Sequence, residues 1–254
     1  IGDNSNKTYC EEWYNIYDYY GNEYDLLKKR YVHMSTNSET FEFSAIAKFL
    51  ALYNLAKEKN VSELMLLDSD LMTYVNYSQL DWNGIDAGFS VPEYQEPYIW
   101  TVSVHCSYWS IEALQSFVKY LLEVYDKKMN SLEEKWNYDQ INKRPGGICD
   151  MTLVYLWYKE HPEMNFFNTS KITNGLVFDH FLFSTEGFRV GDFKINKYLE
   201  MKILKFKNGI PYFKYKDNTW VRACTIHAQG GRKRYINLLY ENETSKLSYY
   251  FLKI

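Results

Sequence analysis

Leu64-Met65-Leu66-Leu67-Asp68-Ser69-Asp70 sets a continuous apolar run directly before two carboxylates. Four apolar residues in a row, bounded by polar ones, read as a short strand covered on both faces, as found inside an α/β sheet. Carboxylates at the carboxyl end of such a strand stand where ligands of open α/β sheets bind. Alternate residues of an extended segment point to one side, so Asp68 and Asp70 are expected to face a single divalent cation. By itself the triplet has low specificity, because Asp after a strand is also a common loop starter. Upstream, Thr36-Asn37-Ser38-Glu39 has the spacing of a capping box, with Thr36 and Glu39 satisfying each other's backbone donors. Behind it Ala45, Phe49, Leu52 and Ala56, flanked by Ile46 and Tyr53, give one apolar helical face that fades at Lys57-Glu58-Lys59-Asn60. Helix, short loop and buried strand make half of an α/β unit.

Further along, Leu114, Phe117, Leu121 and Val124 predict the inward face of a helix from Ile111 to Tyr125. Another helix starts near Asp150, runs through Met151, Val154, Tyr155 and Tyr158, and ends before Pro162. Asp150 suits the N-cap of that helix. Asn208-Gly209 lies between Ile203-Leu204-Lys205-Phe206 and Tyr212-Phe213-Lys214-Tyr215, a strong hairpin signal because Asn-Gly accepts positive φ. Trp220 to Ile226 reads as a strand and Tyr235 to Tyr240 as a short closing helix. The expected class is α/β, one domain over residues 1–254, with a mixed twisted sheet flanked by helices and a C-terminal β-hairpin region.

The 254 residues carry 29 basic and 32 acidic side chains, and a net charge of -3 supplies no basic face for nucleic acid. No apolar run reaches the ~18 residues of a membrane span. Asp3, Glu11, Glu12 and Asp18 are wrong for a signal peptide, which makes the cytoplasm the expected compartment. Cys10, Cys106, Cys149 and Cys224 lie far apart, without zinc or disulfide spacing. Sequons at Asn6, Asn60, Asn76, Asn168 and Asn242 matter only in a secretory compartment. The 19% aromatic content suits stacking on sugar faces, and equally a chain rich in Tyr, Asn and Lys codons.

His227-Ala228-Gln229-Gly230-Gly231-Arg232-Lys233 follows another expected strand. An imidazole completes a metal site begun by two carboxylates and favours manganese over magnesium. Gly230 and Gly231 let the backbone approach an anion, and Lys233, with Arg232 and Arg234 nearby, offers charge to a diphosphate. With 5 His, 12 Gly and 29 Lys plus Arg, His followed by Gly and a basic residue at these offsets arises by chance about 0.03 times per chain. The plainer alternative is a core histidine ending a strand, followed by a solvated basic turn.

Leu66-Leu67-Asp68-Ser69-Asp70-Leu71 resembles the DxD motif of GT-A-fold glycosyltransferases, and His227-x-x-Gly230-x-x-Lys233 resembles the HxxGxxK of their glycogenin-like members. Arg234-Tyr235 stands where that branch usually carries Pro-Trp. Val104-His105-Cys106-Ser107-Tyr108-Trp109 and Gly146-Gly147-Ile148-Cys149-Asp150-Met151 look more like bacterial polysaccharide glycosyltransferases. The resemblance implies sugar transfer from a nucleotide-diphosphate donor, UDP-sugar favoured, to a saccharide or glycoconjugate acceptor in surface polysaccharide synthesis. It implies Mn2+, or Mg2+, held by Asp68, Asp70 and His227, with Asp70 in direct contact and Asp68 shared between metal and donor sugar or ribose. Lys233, Gly230 and Gly231 then take the diphosphate. Asp150 is the expected acceptor-side base or hydrogen-bonding partner, His105 a weaker acceptor contact, and Trp100 and Trp109 a sugar platform. Arg144 is placed on a loop near the site.

Ile1-Gly2-Asp3 reads as the end of a strand already under way, either the first strand of a compact version or, the favoured reading, the continuation of an N-terminal strand-helix unit that holds the nucleotide base. The donor base therefore stays open. So do retaining or inverting stereochemistry, oligomeric state and peripheral contact with lipid-linked acceptors. Two other functions compete, a metal-dependent hydrolase of phosphoesters or sugar nucleotides and a carbohydrate-binding protein without turnover.

Overall fold

Ser38 and Ser110 each stand just before a helix and accept from a backbone N–H of its first turn. The computed structural model describes residues 1–3, 5, 7, 12–93, 97–183 and 192–240. Cys10 and the sequons at Asn6 and Asn242 lie outside the described residues. In chain order come α1 (Gly21–Arg30), α2 (Glu39–Glu58), β1 (Glu63–Leu67), β2 (Leu71–Thr73), β3 (Ala87–Ser90) and β4 (Ser103–Ser110). Then follow α3 (Ile111–Lys127), α4 (Met129–Ile141), α5 (Asp150–Glu160), β5 (Phe166–Asn168) and β6 (Leu176–Phe178). The chain continues with β7 (Ile195–Asn196), β8 (Met201–Lys202), β9 (Leu204–Lys207), β10 (Ile210–Lys214), β11 (Trp220–His227) and α6 (Ile236–Tyr240). The class is mixed α/β. Among the described residues no helix is long and apolar enough to cross a membrane.

The chain forms two compact units. The first comprises Ile1–Leu64, Gln95–Val102 and Trp109–Asn165, and holds α1 to α5. Its core is aromatic: Phe117 packs edge-on against Phe49 at 4.9 Å and lies 5.5 Å from both Trp109 and Trp157. Helix α3 follows the predicted pattern, with Leu114, Phe117, Leu121 and Val124 buried and Ser110 capping Ala113 N. Helix α2 departs from expectation in two ways. Its cap is Ser38, which accepts from Phe41 N, two residues later than the Thr36 cap predicted. Thr36 instead accepts from Gly146 N at 2.8 Å and donates its own N–H to Gly146 O at 2.9 Å. Of the face read from the sequence, Ile46, Phe49 and Ala56 are buried, while Ala45, Leu52 and Tyr53 are only half-buried and Phe43, Ala47 and Leu50 are buried beside them. Phe43 and Leu50 extend the buried stripe one helical turn to the side, as a helix with several neighbours requires.

The second unit comprises Met65–Tyr94, Ser103–Tyr108 and Phe166–Ile254. It carries a sheet of order β1-β4-β3-β5 and a mixed sheet of order β2-β11-β10-β9, in which β6 also pairs with β11 in parallel. Strand β1 is half-buried, with Leu67 37% exposed, against the expectation of cover on both faces. It stands at the sheet edge, where among the described residues no strand pairs with its outer side. The β9–β10 hairpin forms as read: Ile210 opposes Lys207, and Asn208 and Gly209 take φ of 52° and 75°. Beneath it, Phe193, Phe213, Val221, Ala223 and Ile226 form the core with Tyr235 and Leu239. Cys106, Cys149 and Cys224 are free thiols.

Candidate metal centre

Strand β2 begins immediately after Asp70 and pairs antiparallel with the end of β11, placing Leu71 opposite His227. Ala228 N donates to Asp70 O at 3.1 Å, so two segments 157 positions apart are locked together through the backbone. Asp68 and Asp70 are not in the extended conformation expected of them. Leu71 N donates to Asp68 O at 3.3 Å and closes a tight turn, because the chain must leave the sheet of β1 for that of β2 here. Asp68 N donates to His105 O at 2.8 Å, anchoring the front of the turn on β4.

A β-bulge aims His227. Val221 and Ala223 face the same core as Ile226 and Ala228, a change from odd to even positions. Strict alternation would put these pairs on opposite sides. The register between β6 and β11 shifts between Ala223 and Thr225, and the extra residue switches the parity. His227 thereby turns away from the core and toward Asp70. Cys224, just before the switch, packs with Cys106 and Phe178 instead.

Asp68, Asp70 and His227 each offer a ligand atom, and these atoms lie within 4.8 Å of one another. Oxygens on opposite sides of one hard cation stand about 4 to 5 Å apart, so the span fits a single ion. His227 Nε2 is 3.2 Å from Asp70 Oδ1, and both residues are buried while Asp68 is exposed. His227 Nδ1 faces the carbonyl oxygen of His180, which only accepts, so Nδ1 carries the proton. In the neutral ring Nε2 then holds a lone pair directed at a carboxylate, an arrangement relieved by a cation or by a second proton. A backbone carbonyl on the far nitrogen is also how metal-bound imidazoles are held. A donor set of two carboxylates and one imidazole is of the kind that takes a divalent cation.

Lys233 Nζ lies 3.2 Å from Asp70 Oδ2, with its side chain 56% exposed. Gly230 has a φ of 61°, and a Cβ at Gly230 or Gly231 would meet no atom within 4 Å. Backbone conformation demands glycine at Gly230, and packing demands it at neither position. Arg232 pairs with Glu200 at 3.6 Å, and Arg234 lies over the Tyr235 ring.

His105 is buried, and both of its nitrogens are committed: Nε2 donates to Asp179 O at 2.9 Å and Nδ1 accepts from Ser103 Oγ at 2.6 Å. Its ring stacks on His227 at 4.4 Å, nearly parallel. The acceptor contact expected of it finds a ring acting as a floor beneath His227. Burial, then the neighbouring His227, pulls its pKa down to about 3, and burial likewise holds His180 well below the ordinary range. Both rings take up a proton more readily unfolded, near pH 6.5, than folded. Their contribution is therefore complete above about pH 6.5 and is lost as the pH falls toward the folded values. Urea unfolding in EDTA is expected to show stability dropping between about pH 6.5 and 5, where ordinary carboxylates stay ionised. A flat curve there would mean that the rings accept protons in the native state.

Asp150, Trp109, Trp100 and Arg144 belong to the first unit. Asp150 is the first residue of α5, with Cys149 rather than Asp150 as its N-cap, and its carboxylate pairs with Lys48 at 2.9 Å. Trp109 is fully buried in the aromatic core, which removes it as a sugar platform. Trp100 is half-buried 5.2 Å from Tyr98, and Arg144 lies over the Tyr138 ring.

Sequence reading missed Asp179, His180 and Lys202, which lie around His227. A usable signal was present: Leu176-Val177-Phe178 runs into Asp179 as Leu64 to Leu67 runs into Asp68. No family model, curated protein or solved structure matches this chain.

Proposed function

We propose that this chain is a metal-dependent glycosyltransferase of the GT-A type, moving a sugar from a nucleotide-diphosphate donor to a saccharide or glycoconjugate acceptor. The observation that carries the reading is the imidazole nitrogen of His227, held by a backbone carbonyl and directed at the carboxylate of Asp70 beside Asp68 and Lys233. The mixed sheets, with carboxylates just past the end of β1, support the same fold type. When bound, a divalent cation supplies positive charge where negative charge grows on the departing diphosphate. Asp68, Asp70 and His227 hold that cation, and Lys233 adds a second positive group to the same oxygens. Hydrolysis through paired metals asks for a further set of ligands. Among the described residues one such group is found, sized for one ion, which favours transfer.

Melting curves with Mn2+ against EDTA, scanned over UDP, GDP, CMP and dTDP, test the proposal. Ligand that binds only folded protein raises the melting temperature with occupancy. A Mn2+-dependent rise with one nucleotide is expected, followed by transfer of its sugar to an acceptor saccharide. Release of free sugar or phosphate without transfer would replace the proposal with hydrolysis. Absence of any Mn2+ effect would remove it.

Lys233 gives a prediction with two signs. Its ammonium neutralises Asp70 when no cation is present, and so competes with one. Lys233→Met is expected to bind Mn2+ at least as tightly as the wild type in calorimetry. The same variant should bind the Mn2+–nucleoside diphosphate about 10-fold more weakly, the value of one charge-assisted hydrogen bond. Weaker Mn2+ binding with unchanged nucleotide affinity would contradict both assignments.

A further inference from the structure

The structure assigns Asp179 and Lys202 to the site as positioning residues that hold His227 in line for the cation. The assignment rests on the cation site proposed above. Asp179 follows β6 directly and is 1% exposed. One carboxylate oxygen accepts from Lys202 Nζ and the other from His227 N at 3.0 Å. Its backbone N donates to Thr225 Oγ1 at 2.9 Å, and the carbonyl of the next residue, His180, accepts from His227 Nδ1. Asp179 and His180 thus grip β11 at Thr225 and at both the backbone and ring of His227, directly beyond the bulge that turns this ring.

A buried ion pair contributes little net stability, because desolvating both charges offsets their attraction. Fold stability therefore gives no reason for the two charges themselves, since a neutral pair of similar volume would serve as well. Apolar residues, however, cannot accept from His227 N, which would become an unsatisfied buried donor and draw the strand end out of line. Lys202 accounts for the other half of the pair. Its ammonium lies 5.2 Å from the Phe193 ring and 5.3 Å from the Phe213 ring, inside the core, and the side chain is 3% exposed. There it neutralises Asp179 and keeps that carboxylate bound inward, where it does not compete with Asp68 and Asp70 for the cation.

Two double variants separate positioning from packing. Asp179→Asn/Lys202→Met removes the charges and keeps an oxygen for His227 N. Asp179→Leu/Lys202→Met removes the acceptor as well. In EDTA the Asn form is expected to melt near the wild type, and the Leu form several degrees lower because His227 N is left without an acceptor. The Asn form should keep the wild-type ring 15N pattern of His227, protonated at Nδ1, and its Mn2+ affinity. The Leu form should lose that pattern and bind Mn2+ about 10- to 100-fold more weakly. A folded Leu form with wild-type ring pattern and affinity would overturn the assignment. So would an Asn form that loses either, and this second result decides the matter even if the Leu form does not fold. Wild-type protein that takes up no Mn2+, with the ring pattern still changing in the Leu form, would sink the cation reading and leave the hold on His227 intact.

Discussion

Asp70→Asn is expected to weaken Mn2+ binding by roughly 100-fold or more and to abolish the Mn2+-dependent rise in melting temperature with nucleotide. Asp70 faces His227 Nε2 with one oxygen and Lys233 Nζ with the other, each at 3.2 Å. Asparagine keeps the shape of the side chain and leaves Asp70's backbone carbonyl free to accept from Ala228 N. Its amide can also donate to the lone pair of Nε2, so the metal-free protein should melt within a few degrees of the wild type. Lys233 is itself more than half exposed, so weakening this pair changes little. Selective loss of the cation with the fold preserved marks a ligand. Calorimetry showing Mn2+ affinity within a few-fold of the wild type would refute the role of Asp70, and with it the centre.

The largest effect on stability is expected at Gly147. Its φ is 144°, and a Cβ there would lie 2.2 Å from Met34 O, 2.8 Å from Ser35 Cα and 2.9 Å from the Trp136 ring. Two of these atoms are backbone and cannot rotate away. The loop is fastened on both sides, with Thr36 N donating to Gly146 O at 2.9 Å and Ile148 N to Met34 O at 2.7 Å. Accommodating alanine means breaking this bridge at the start of α5, at a cost of about 3 kcal/mol. Gly146 next to it is the internal control. Its φ is 89° but a Cβ would meet nothing within 4 Å, so Gly146→Ala should cost only about 1 kcal/mol of backbone strain. Urea unfolding of the two variants measures the difference. Equal destabilisation would mean that the close approach at Gly147 relaxes without cost.

Several features were legible in the sequence because their causes are local. Leu114, Phe117, Leu121 and Val124 recur at helical spacing, and α3 buries them. Asn208-Gly209 accepts positive φ at both positions, so the hairpin formed where it was read. The pairing of a DxD triplet with a distant histidine was legible as composition and order, and the tertiary structure brings Asp68, Asp70 and His227 within reach of one ion. Which serine or threonine caps α2 was not legible, because Ser38 and Thr36 are both competent and the Gly146-Gly147 loop takes Thr36. Nor was the half-exposure of β1, whose place at the sheet edge is set by strand order and not by its own residues.

The direction of His227 was the furthest from view. It depends on one extra residue in the pairing of β6 with β11, on the carboxylate of Asp179 and on a carbonyl of His180. By itself the sequence determined α2, α3, α5 and the hairpin turn, since each is set by neighbours a few positions away, while α1 and α4 went unread. Only the tertiary structure decided which nitrogen of His227 faces Asp70, because that choice is made by strands more than forty positions apart meeting in one register.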